Sequence, residues 1–236
     1  MITFVLQSQR EKSLLRRHPW IFSKAIDKAI DSKTKQEVEQ GNIKSGTLCK
    51  VVSADNTFLC YAHYSPSSQI VLRAISFNEQ DFIDYDFIKN RISQAIARRA
   101  PLFIRGDKGV RLVSAEGDYL PGLIVDRFND VICVAISSAG MESMYEYIFK
   151  ALHELNPDCY LYERSDAKSR RKENLPLRAG LVDPSDLSKN YNLKDGKGRA
   201  LKDSKQITQV QRIGAAEGQM IELDEAIADT LFVLER

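Results

Sequence analysis

The sequence contains no apolar run near the roughly 18 residues that a membrane-spanning helix requires. It also lacks the pattern of a secretory signal peptide, because the short apolar stretch 1–6 is followed at once by polar and basic residues. Neither sign of charge is in large excess, and the net charge of the 236 residues is +2. These absences predict a cytoplasmic protein with no membrane partner.

Paired cysteines of the C-x-x-C type are also missing. The four cysteines stand far apart in the chain, each among apolar or strand-forming neighbours: Cys49, Cys60, Cys133 and Cys159. This spacing favours reduced core thiols over disulfides or zinc ligands, so no metal site is predicted.

The positive charge is concentrated in the first third of the chain. Residues 1–80 hold 11 lysines and arginines against 7 acidic residues. Residues 81–180 hold 15 of each kind, and residues 181–236 hold 8 basic and 10 acidic residues. The amino-terminal part is therefore expected to contact an anionic partner.

The basic residues of this first third cluster around a predicted short helix. Ser8 and Glu11 have the spacing of a capping box, two leucines follow as its inner face, and Pro19 ends the helix before Trp20. Four cations project from it: Arg10, Lys12, Arg16 and Arg17. Two interpretations remain open, a solvated basic face and a surface that binds the phosphates of nucleic acid.

A second basic cluster follows a predicted strand at 160–162. It consists of Arg170, Arg171 and Lys172. Arg73, on a strand predicted at 70–76, could extend the first basic face. For each of these residues solvation is the alternative to phosphate binding.

The hydrophobic pattern predicts two structured regions and a tail. Strands are expected at 2–7, 48–52, 57–62 and 70–76, with a polar loop at 27–45. These short strands indicate a small β-barrel-like domain over residues 1–77. Helices at 81–99 and 141–155 and strands at 110–115, 123–128, 131–137 and 160–162 indicate a mixed α/β domain over residues 78–182. Residues 183–236 read as a polar linker and an amphipathic tail, with a helix at 222–236.

The acidic residues of the second region do not indicate a catalytic site. Glu116 and Asp118 stand beside Gly117, and Pro121-Gly122 follows, a composition typical of tight turns. No catalytic residue is predicted in the chain.

Four segments resemble one protein family in sequence order. They are residues 10–23 (REKSLLRRHPWIFS), 64–70 (YSPSSQI), 120–128 (LPGLIVDRF) and 163–166 (ERSD). The chain resembles, over about residues 2–178, the bacterial 23S rRNA cytosine-5 methyltransferases that begin with a PUA domain, an RNA-binding fold. Ala115 departs from the glycine usual in that family.

The resemblance implies a PUA domain, a central α+β domain, and a Rossmann-type domain that binds S-adenosylmethionine and carries a cysteine nucleophile. This chain has no Asp-Pro-Pro segment, none of its cysteines has the neighbours of that nucleophile, and the glycine pattern at 213–218 has too few residues after it. The expected fold class is therefore α+β, with the Rossmann methyltransferase domain absent and no cofactor bound by this chain.

The predicted function is RNA binding within rRNA modification, by the amino-terminal part of such a methyltransferase. The expected partner is structured RNA, with 23S rRNA as the family's substrate, and the chain alone is expected to be inactive. Two alternatives stay open. The chain could be one subunit of a split methyltransferase, acting with a separate catalytic domain or as a homodimer, or it could be a protein-interaction module with no role in RNA binding.

Overall fold

The computed structural model describes residues 1–105, 109–184, 187, 209–211 and 220–222. The first group of strands comprises β1 (Ile2–Leu6), β2 (Trp20–Phe22), β3 (Ile26–Asp31), β4 (Leu48–Val52), β5 (Phe58–Tyr64) and β6 (Ile70–Ser76). They form one sheet in the order β2-β6-β5-β4-β1-β3. Its neighbouring strands are antiparallel except β1 and β4, which are parallel.

The core of this first sheet comes from its central strands. The predicted strands 48–52 and 70–76 agree with β4 and β6 residue for residue. Val51, Cys60 and Leu72 have no exposed surface, and Phe4 stacks on Tyr64 with ring centroids 5.2 Å apart. These strands were predictable because buried central strands read as short apolar runs bounded by turn residues.

The second sheet contains β7 (Gly109–Ser114), β8 (Leu123–Phe128), β9 (Val131–Ile136), β10 (Tyr160–Ser165) and β11 (Arg178–Val182), in the order β11-β10-β9-β8-β7. Two long helices, α2 (Tyr85–Arg98) and α5 (Tyr145–Leu155), contribute to its core through Ile88, Ile92 and Phe149. Asp84 caps α2, because its Oδ1 accepts a hydrogen bond from the Phe87 amide at 3.0 Å. The remaining helices are short: α1 (Lys12–Leu15), α3 (Ala100–Ile104), α4 (Ala139–Ser143) and α6 (Ser169–Lys172).

The second sheet corrects the fold class expected from sequence. Strands β9 and β10 are parallel, with Ile132 opposite Leu161, and α4 and α5 connect them. A strand, a helical crossover and a parallel strand make up the βαβ unit from which Rossmann-type sheets are built. This mixed sheet is consistent with a methyltransferase domain, so the expected absence of a Rossmann-like domain is wrong. The missing Asp-Pro-Pro segment and cysteine nucleophile led to that expectation, and the parallel pairing of β9 and β10 was not predicted from sequence.

Several element predictions also need correction. The capping box at Ser8 does not form, since residues 7–10 make a turn closed by the Arg10 amide on the Gln7 carbonyl at 3.1 Å, and α1 begins only at Lys12. The polar segment 27–45 contains most of β3, whose charged residues suit the edge of a sheet. The helix expected at 141–155 is two helices, α4 and α5, which meet at Met144.

The end of the second region was also predicted incompletely. Strand β10 continues to Ser165 and is followed by β11, which pairs with it antiparallel. Further on, β12 (Gln209–Gln211) and β13 (Met220–Glu222) pair as a two-stranded antiparallel sheet. Glu222 therefore lies in a strand. The rest of the helix predicted at 222–236 lies outside the described residues, as do 188–208 in the predicted linker.

Candidate nucleic-acid interface

The cationic segment around α1 is exposed. Arg10, Lys12, Arg16 and Arg17 all project into solvent. Leu14 anchors the segment, since it is only 3% exposed and belongs to the core of the first sheet. Leu15 was expected on the same inner face but is 69% exposed. Four cations and one apolar side chain are therefore presented together from one short segment.

The backbone of this segment is constrained. Gln9 and Arg17, which flank α1, both have left-handed φ angles, of 65° and 61°. That conformation is uncommon outside glycine and costs about 1–3 kcal/mol. Arg17 is held there by a hydrogen bond from its amide to the Leu14 carbonyl at 2.7 Å. The direction in which its side chain projects is thus fixed by the fold.

Trp20, directly after this segment, joins the two sheets. Its indole Nε1 donates to Glu116 Oε1 at 3.1 Å, across 96 positions of sequence. Glu116 was interpreted from sequence as a turn residue, and it lies in a short 3-10 helix at Ala115–Asp118. The turn between β7 and β8 is therefore fixed against the start of β2.

Arg73 makes a second connection between the sheets. It lies opposite Trp20 in the β2–β6 pairing, and its Nη2 is 2.8 Å from Glu173 Oε1. Ser65 and Ser68 accept further hydrogen bonds from its guanidinium, at 3.0 Å and 3.1 Å. The side chain is 13% exposed. Arg73, predicted as an RNA-binding residue, thus has a structural role at the junction.

Arg170 is also not part of the predicted surface patch, because it is buried. It has no exposed surface, and its Nη1 donates to the Ile136 carbonyl at 2.5 Å while its Nε donates to the Pro176 carbonyl at 2.8 Å. Its Nη2 lies 3.1 Å from Glu142. Desolvation lowers the pKa of Arg170, and Glu142 opposes that effect. This arginine is a core residue that organises the ends of β9 and β11.

A second arginine, Arg178, completes this buried network. Arg178 donates to both carboxylate oxygens of Glu163 at 3.1 Å and to Glu142 at 2.8 Å. Tyr145 also donates to Glu163 at 3.1 Å, and the Arg178 guanidinium lies 4.7 Å from the centre of the Tyr145 ring. Burial lowers the pKa of Arg178, but its hydrogen bonds to Glu142 and Glu163 raise it overall. The two arginines, Arg170 and Arg178, are therefore neutralised by the two glutamates, Glu142 and Glu163.

Arg171 and Lys172, by contrast, are exposed on α6. Helix α6 lies beside the first sheet, because Glu173 pairs with Arg73 on β6 and Asn174 donates to Ser67 at 2.9 Å. The α1 segment leads directly into β2, which pairs with β6. Both exposed basic segments therefore flank the β2–β6 edge of the first sheet.

A buried histidine lies at the same junction. His63 on β5 is 2% exposed, and neither imidazole nitrogen has a hydrogen-bond partner among the described residues. Burial lowers its pKa to about 4. Gly140 of α4 lies against the imidazole, leaving no room for a Cβ, which would be 2.8 Å from Nδ1. The side chain is thus a neutral packing residue at neutral pH.

The sequence analysis missed the residues on the second sheet's side of the junction. Arg91 and Arg98, two helical turns apart on α2, approach the turn that carries Tyr119 and Asp118. Burial raises the pKa of Asp118, but hydrogen bonds from Arg99 and Arg98 outweigh that effect and keep it below its usual value. The seven-residue spacing of Arg91 and Arg98 is the sequence signal that places both on one helix face.

The described residues present no metal centre and no reactive thiol. No group of three His, Cys, Asp or Glu side chains among them could hold a metal ion. All four cysteines are free, as predicted, although Cys159 is only half-buried. Burial raises the pKa of Cys49 and Cys133 to about 12. In the same part of the chain, no helix is long and apolar enough to cross a bilayer.

Comparison with known proteins supports the PUA domain expected in the first third of the chain. A family described as "PUA-like domain" matches residues 4–77. The chain is 42% identical to the ribosomal RNA large subunit methyltransferase I of Tolumonas auensis over 181 residues, which are 76% of this chain and 43% of the relative. It is 39% identical to the proteins of the same name from Yersinia pseudotuberculosis and Yersinia pestis over 182 residues, 77% of this chain and 43% of each relative.

These findings support an rRNA methyltransferase family with a PUA domain and do not test the cytosine-5 specificity. The chain spans less than half the length of these relatives.

Solved structures bear on the fold alone. A candidate SAM-dependent methyltransferase from Streptococcus mutans aligns with a TM-score of 0.57 and 18% identity, over 70% of this chain and 40% of that one. A candidate methyltransferase crystallised with S-adenosylhomocysteine aligns with the same values. Together with the parallel β9–β10 pair, these alignments overturn the expectation that a Rossmann-like domain is absent.

The described residues at the parallel strands do not fit S-adenosylmethionine. In such sheets a ligand lies beyond the carboxyl ends of the strands, here Ile136 and Ser165. The Ile136 carbonyl accepts from buried Arg170, and Ser165 Oγ accepts from the Ile136 amide at 3.0 Å. The loop after β9 is closed by Glu173, which accepts from the Ala139 amide at 3.4 Å.

Proposed function

We propose that this chain binds structured RNA, with 23S rRNA as its target, and that it serves rRNA methylation. The observation that supports this most directly is the β2–β6 edge of the first sheet. Exposed cations flank that edge from two separate parts of the chain, which the Trp20–Glu116 and Arg73–Glu173 contacts join. Lysine and arginine side chains gathered in this way release counterions from phosphates on binding. A cytoplasmic location is part of the proposal.

The binding surface consists of the exposed cations among those predicted from sequence. These are Arg10, Lys12, Arg16 and Arg17 of the α1 segment, with Arg171 and Lys172 of α6. Arg73 and Arg170 support the surface from within, since both are held by acidic partners. We further propose a division of the chain at about residue 77, into a PUA domain and a second domain that extends to about residue 182.

The test is the affinity of the purified chain for 23S rRNA fragments at 50 mM and 200 mM salt. We expect binding that weakens as salt rises, and a smaller salt dependence in the double variant Lys12→Glu/Arg16→Glu. The slope of log K against log salt should fall by about 1 for each phosphate that the variant no longer neutralises.

A matched control is the double variant Lys33→Glu/Lys35→Glu. It makes the same change in net charge on two exposed lysines that follow β3, at the opposite edge of the first sheet. We expect this control to bind RNA nearly as the wild type does. Equal decreases in affinity for the two variants would point to net charge alone, and no binding by the wild type at low salt would contradict the proposal.

We also propose that the modification served is methylation at C5 of a cytosine. The support is the four segments that resemble the 23S rRNA cytosine-5 methyltransferases. Mass spectrometry of rRNA nucleosides, from cells with and without the gene, tests this directly. Loss of 5-methylcytidine on deletion is expected, whereas loss of a different methylated nucleoside would replace this specificity.

Methyl transfer by this chain itself is a second candidate. The second sheet shares the fold of candidate methyltransferases, but hydrogen bonds close the ends of β9 and β10, so the cofactor would have to bind elsewhere on the chain. Titration calorimetry with S-adenosylhomocysteine tests whether the chain binds the cofactor product. Transfer of a labelled methyl group to RNA tests the activity. Binding of S-adenosylhomocysteine together with methyl transfer would establish this candidate. Neither measurement decides whether the chain binds RNA.

A further inference from the structure

Two aromatic rings meet where the α1 segment approaches the second sheet. Phe77 directly follows β6, and Tyr119 directly follows the 3-10 helix Ala115–Asp118. Their rings are T-shaped, with centroids 6.0 Å apart. Both side chains are half-buried. Neither residue is fully buried at the junction.

Guanidinium groups lie against both rings. The Arg17 Cζ is 6.0 Å from the centre of the Phe77 ring, and the Arg91 Cζ is 5.4 Å from that of Tyr119. Together with Arg98, these residues form what we call the Arg17–Tyr119 cluster: Arg17, Phe77, Arg91, Arg98 and Tyr119. Cations and rings thus alternate across the boundary between the two sheets.

The cluster gathers more positive charge than its acidic neighbours remove. Arg98 and Arg99 share the single carboxylate of Asp118, at 2.6 Å and 2.8 Å, and the Arg98 side chain is still 53% exposed. Burial lowers the pKa of Arg91, and the nearby charges of Arg98 and Arg17 add to this effect while Asp81 opposes it. Like charges held this close raise the local positive potential and attract phosphate.

The backbone beneath the cluster is strained at two bulky residues. Tyr119 has a φ of 55° and Arg17 a φ of 61°, both in the left-handed region. Each costs about 1–3 kcal/mol, and such positions concentrate at ligand-binding sites. The β7–β8 turn that carries Tyr119 is fixed by the Trp20–Glu116 hydrogen bond and by the Ser114 amide, which donates to Asp118 at 2.6 Å.

We propose that the Arg17–Tyr119 cluster binds one unpaired nucleotide of the RNA. The base stacks against these half-buried rings and the guanidinium planes beside them, and the adjoining phosphate pairs with Arg17 and Arg98. Unpaired bases in RNA are recognised by stacking on aromatic side chains and on arginine, whereas bases inside a helix are not accessible in this way. The inference rests on the proposed RNA binding and specifies the element of RNA structure that is recognised.

The experiment compares two RNA hairpins with the same stem, one blunt and one with a single unpaired nucleotide at its end. The unpaired base is 2-aminopurine, whose fluorescence is quenched by stacking. We expect the wild type to quench it and to bind this hairpin about tenfold more tightly than the blunt one, the effect of one base–aromatic stack. The quenching is measured on the unmodified chain and so does not depend on a variant that folds.

Two variants at position 119 isolate the ring. Tyr119→Phe retains it and should preserve both the quenching and the tenfold preference. Tyr119→Leu retains apolar bulk without the ring and should abolish both the quenching and the preference for the hairpin with the unpaired nucleotide. Thermal unfolding by circular dichroism checks that the two variants are folded to the same extent.

The outcomes separate the two proposals. If the wild type binds neither hairpin at low salt, RNA binding itself is contradicted. If it binds both hairpins equally without quenching, or if Tyr119→Leu retains the preference, RNA binding stands and the nucleotide site is contradicted.

Discussion

His63 makes stability depend on pH at the scale of a single residue. Its buried imidazole has a pKa of about 4, against about 6.5 in an unfolded chain. The unfolded state therefore binds the proton more readily, and protonation favours unfolding. His63 therefore does not lower the free energy of unfolding above pH 6.5. As the pH falls from 6.5 through 4, that free energy decreases by up to about 3 kcal/mol because of this residue.

Urea unfolding between pH 7 and pH 4 measures this loss. We expect His63→Leu to flatten the profile over that interval, because the variant has no imidazole to protonate. His153, on α5, is the control, since it is exposed and its replacement by leucine should leave the slope unchanged. A wild-type profile with no fall in stability between pH 6.5 and 4 would contradict the assignment.

Arg170 and Arg171 are adjacent in sequence and opposite in role. We expect Arg170→Ala to destabilise the fold by about 3–5 kcal/mol, because it leaves Glu142 short of one buried partner and creates a cavity. Arg171→Ala should change stability by less than about 0.5 kcal/mol, since the side chain is exposed. Chemical denaturation measures both variants, and similar values for the two would contradict the burial of Arg170.

Arg170 and Arg171 also show that the burial of a single charged residue could not be predicted from sequence. A run of three basic residues was interpreted as one surface patch, because composition cannot separate a buried cation from a solvated one. The difference arises because Arg170 pairs with Glu142, 28 positions earlier, and donates to the Ile136 and Pro176 carbonyls at the ends of the second sheet. The cations of the α1 segment, by contrast, are exposed as expected, since a four-residue helix can bury little of its surface.

At the scale of elements, Gly140 sets how closely α4 approaches β5. A Cβ at this position would overlap the His63 imidazole, at 2.5 Å from its Cγ. We expect Gly140→Ala to destabilise the protein by about 1–3 kcal/mol, the usual cost of overpacking.

Gly41→Ala is the matched control, because nothing lies within 4 Å of a Cβ at that position. Its melting temperature should stay within a degree or two of the wild type. Equal melting temperatures for the two variants would mean that α4 can move away from β5 at little cost.

Secondary structure was predictable where one face of an element is plainly apolar. Helix α2 and strands β4, β6 and β8 followed from periodicity alone. Strands β3 and β11 did not, since neither sequence shows a plain alternation of apolar and polar residues. Strand β3 includes charged residues that suit an edge, and β11 contains the buried Arg178 and a glycine with a φ of 150°.

At the scale of the whole molecule, Arg73 and Glu173 couple the two sheets. A double-mutant cycle with Arg73→Met and Glu173→Met should give a coupling free energy of about 2 kcal/mol, because both side chains are largely buried. The Arg111–Asp126 pair is the comparison, since Arg111 is 48% exposed and both residues lie within the second sheet. Its coupling should stay below about 1 kcal/mol. A coupling for Arg73 and Glu173 no larger than this would contradict their role at the junction.

The apolar pattern of the sequence predicts two regions, but it did not predict the contacts between them. Apolar runs and turn residues indicate where each core is built, whereas the contacts of Trp20 with Glu116 and of Arg73 with Glu173 join residues about 100 positions apart. The parallel β9–β10 pair was also missed, because the missing motifs do not report how strands pair. The same is true of the candidate site. Its α1 segment was predicted from local sequence, whereas the residues of the second sheet that lie beside it were missed.

The same junction has a consequence for synthesis on the ribosome. Glu173 lies 100 positions after Arg73, and β6 is complete at Ser76. At about 5–20 residues per second, roughly 5–20 s separate the emergence of the two partners. During that interval the nascent first sheet can form while the Arg73 guanidinium still lacks its carboxylate. Along the β2–β6 edge of the newly made amino-terminal half, Arg73 therefore lacks its carboxylate, and a polyanion can reach it before α6 and the second sheet arrive.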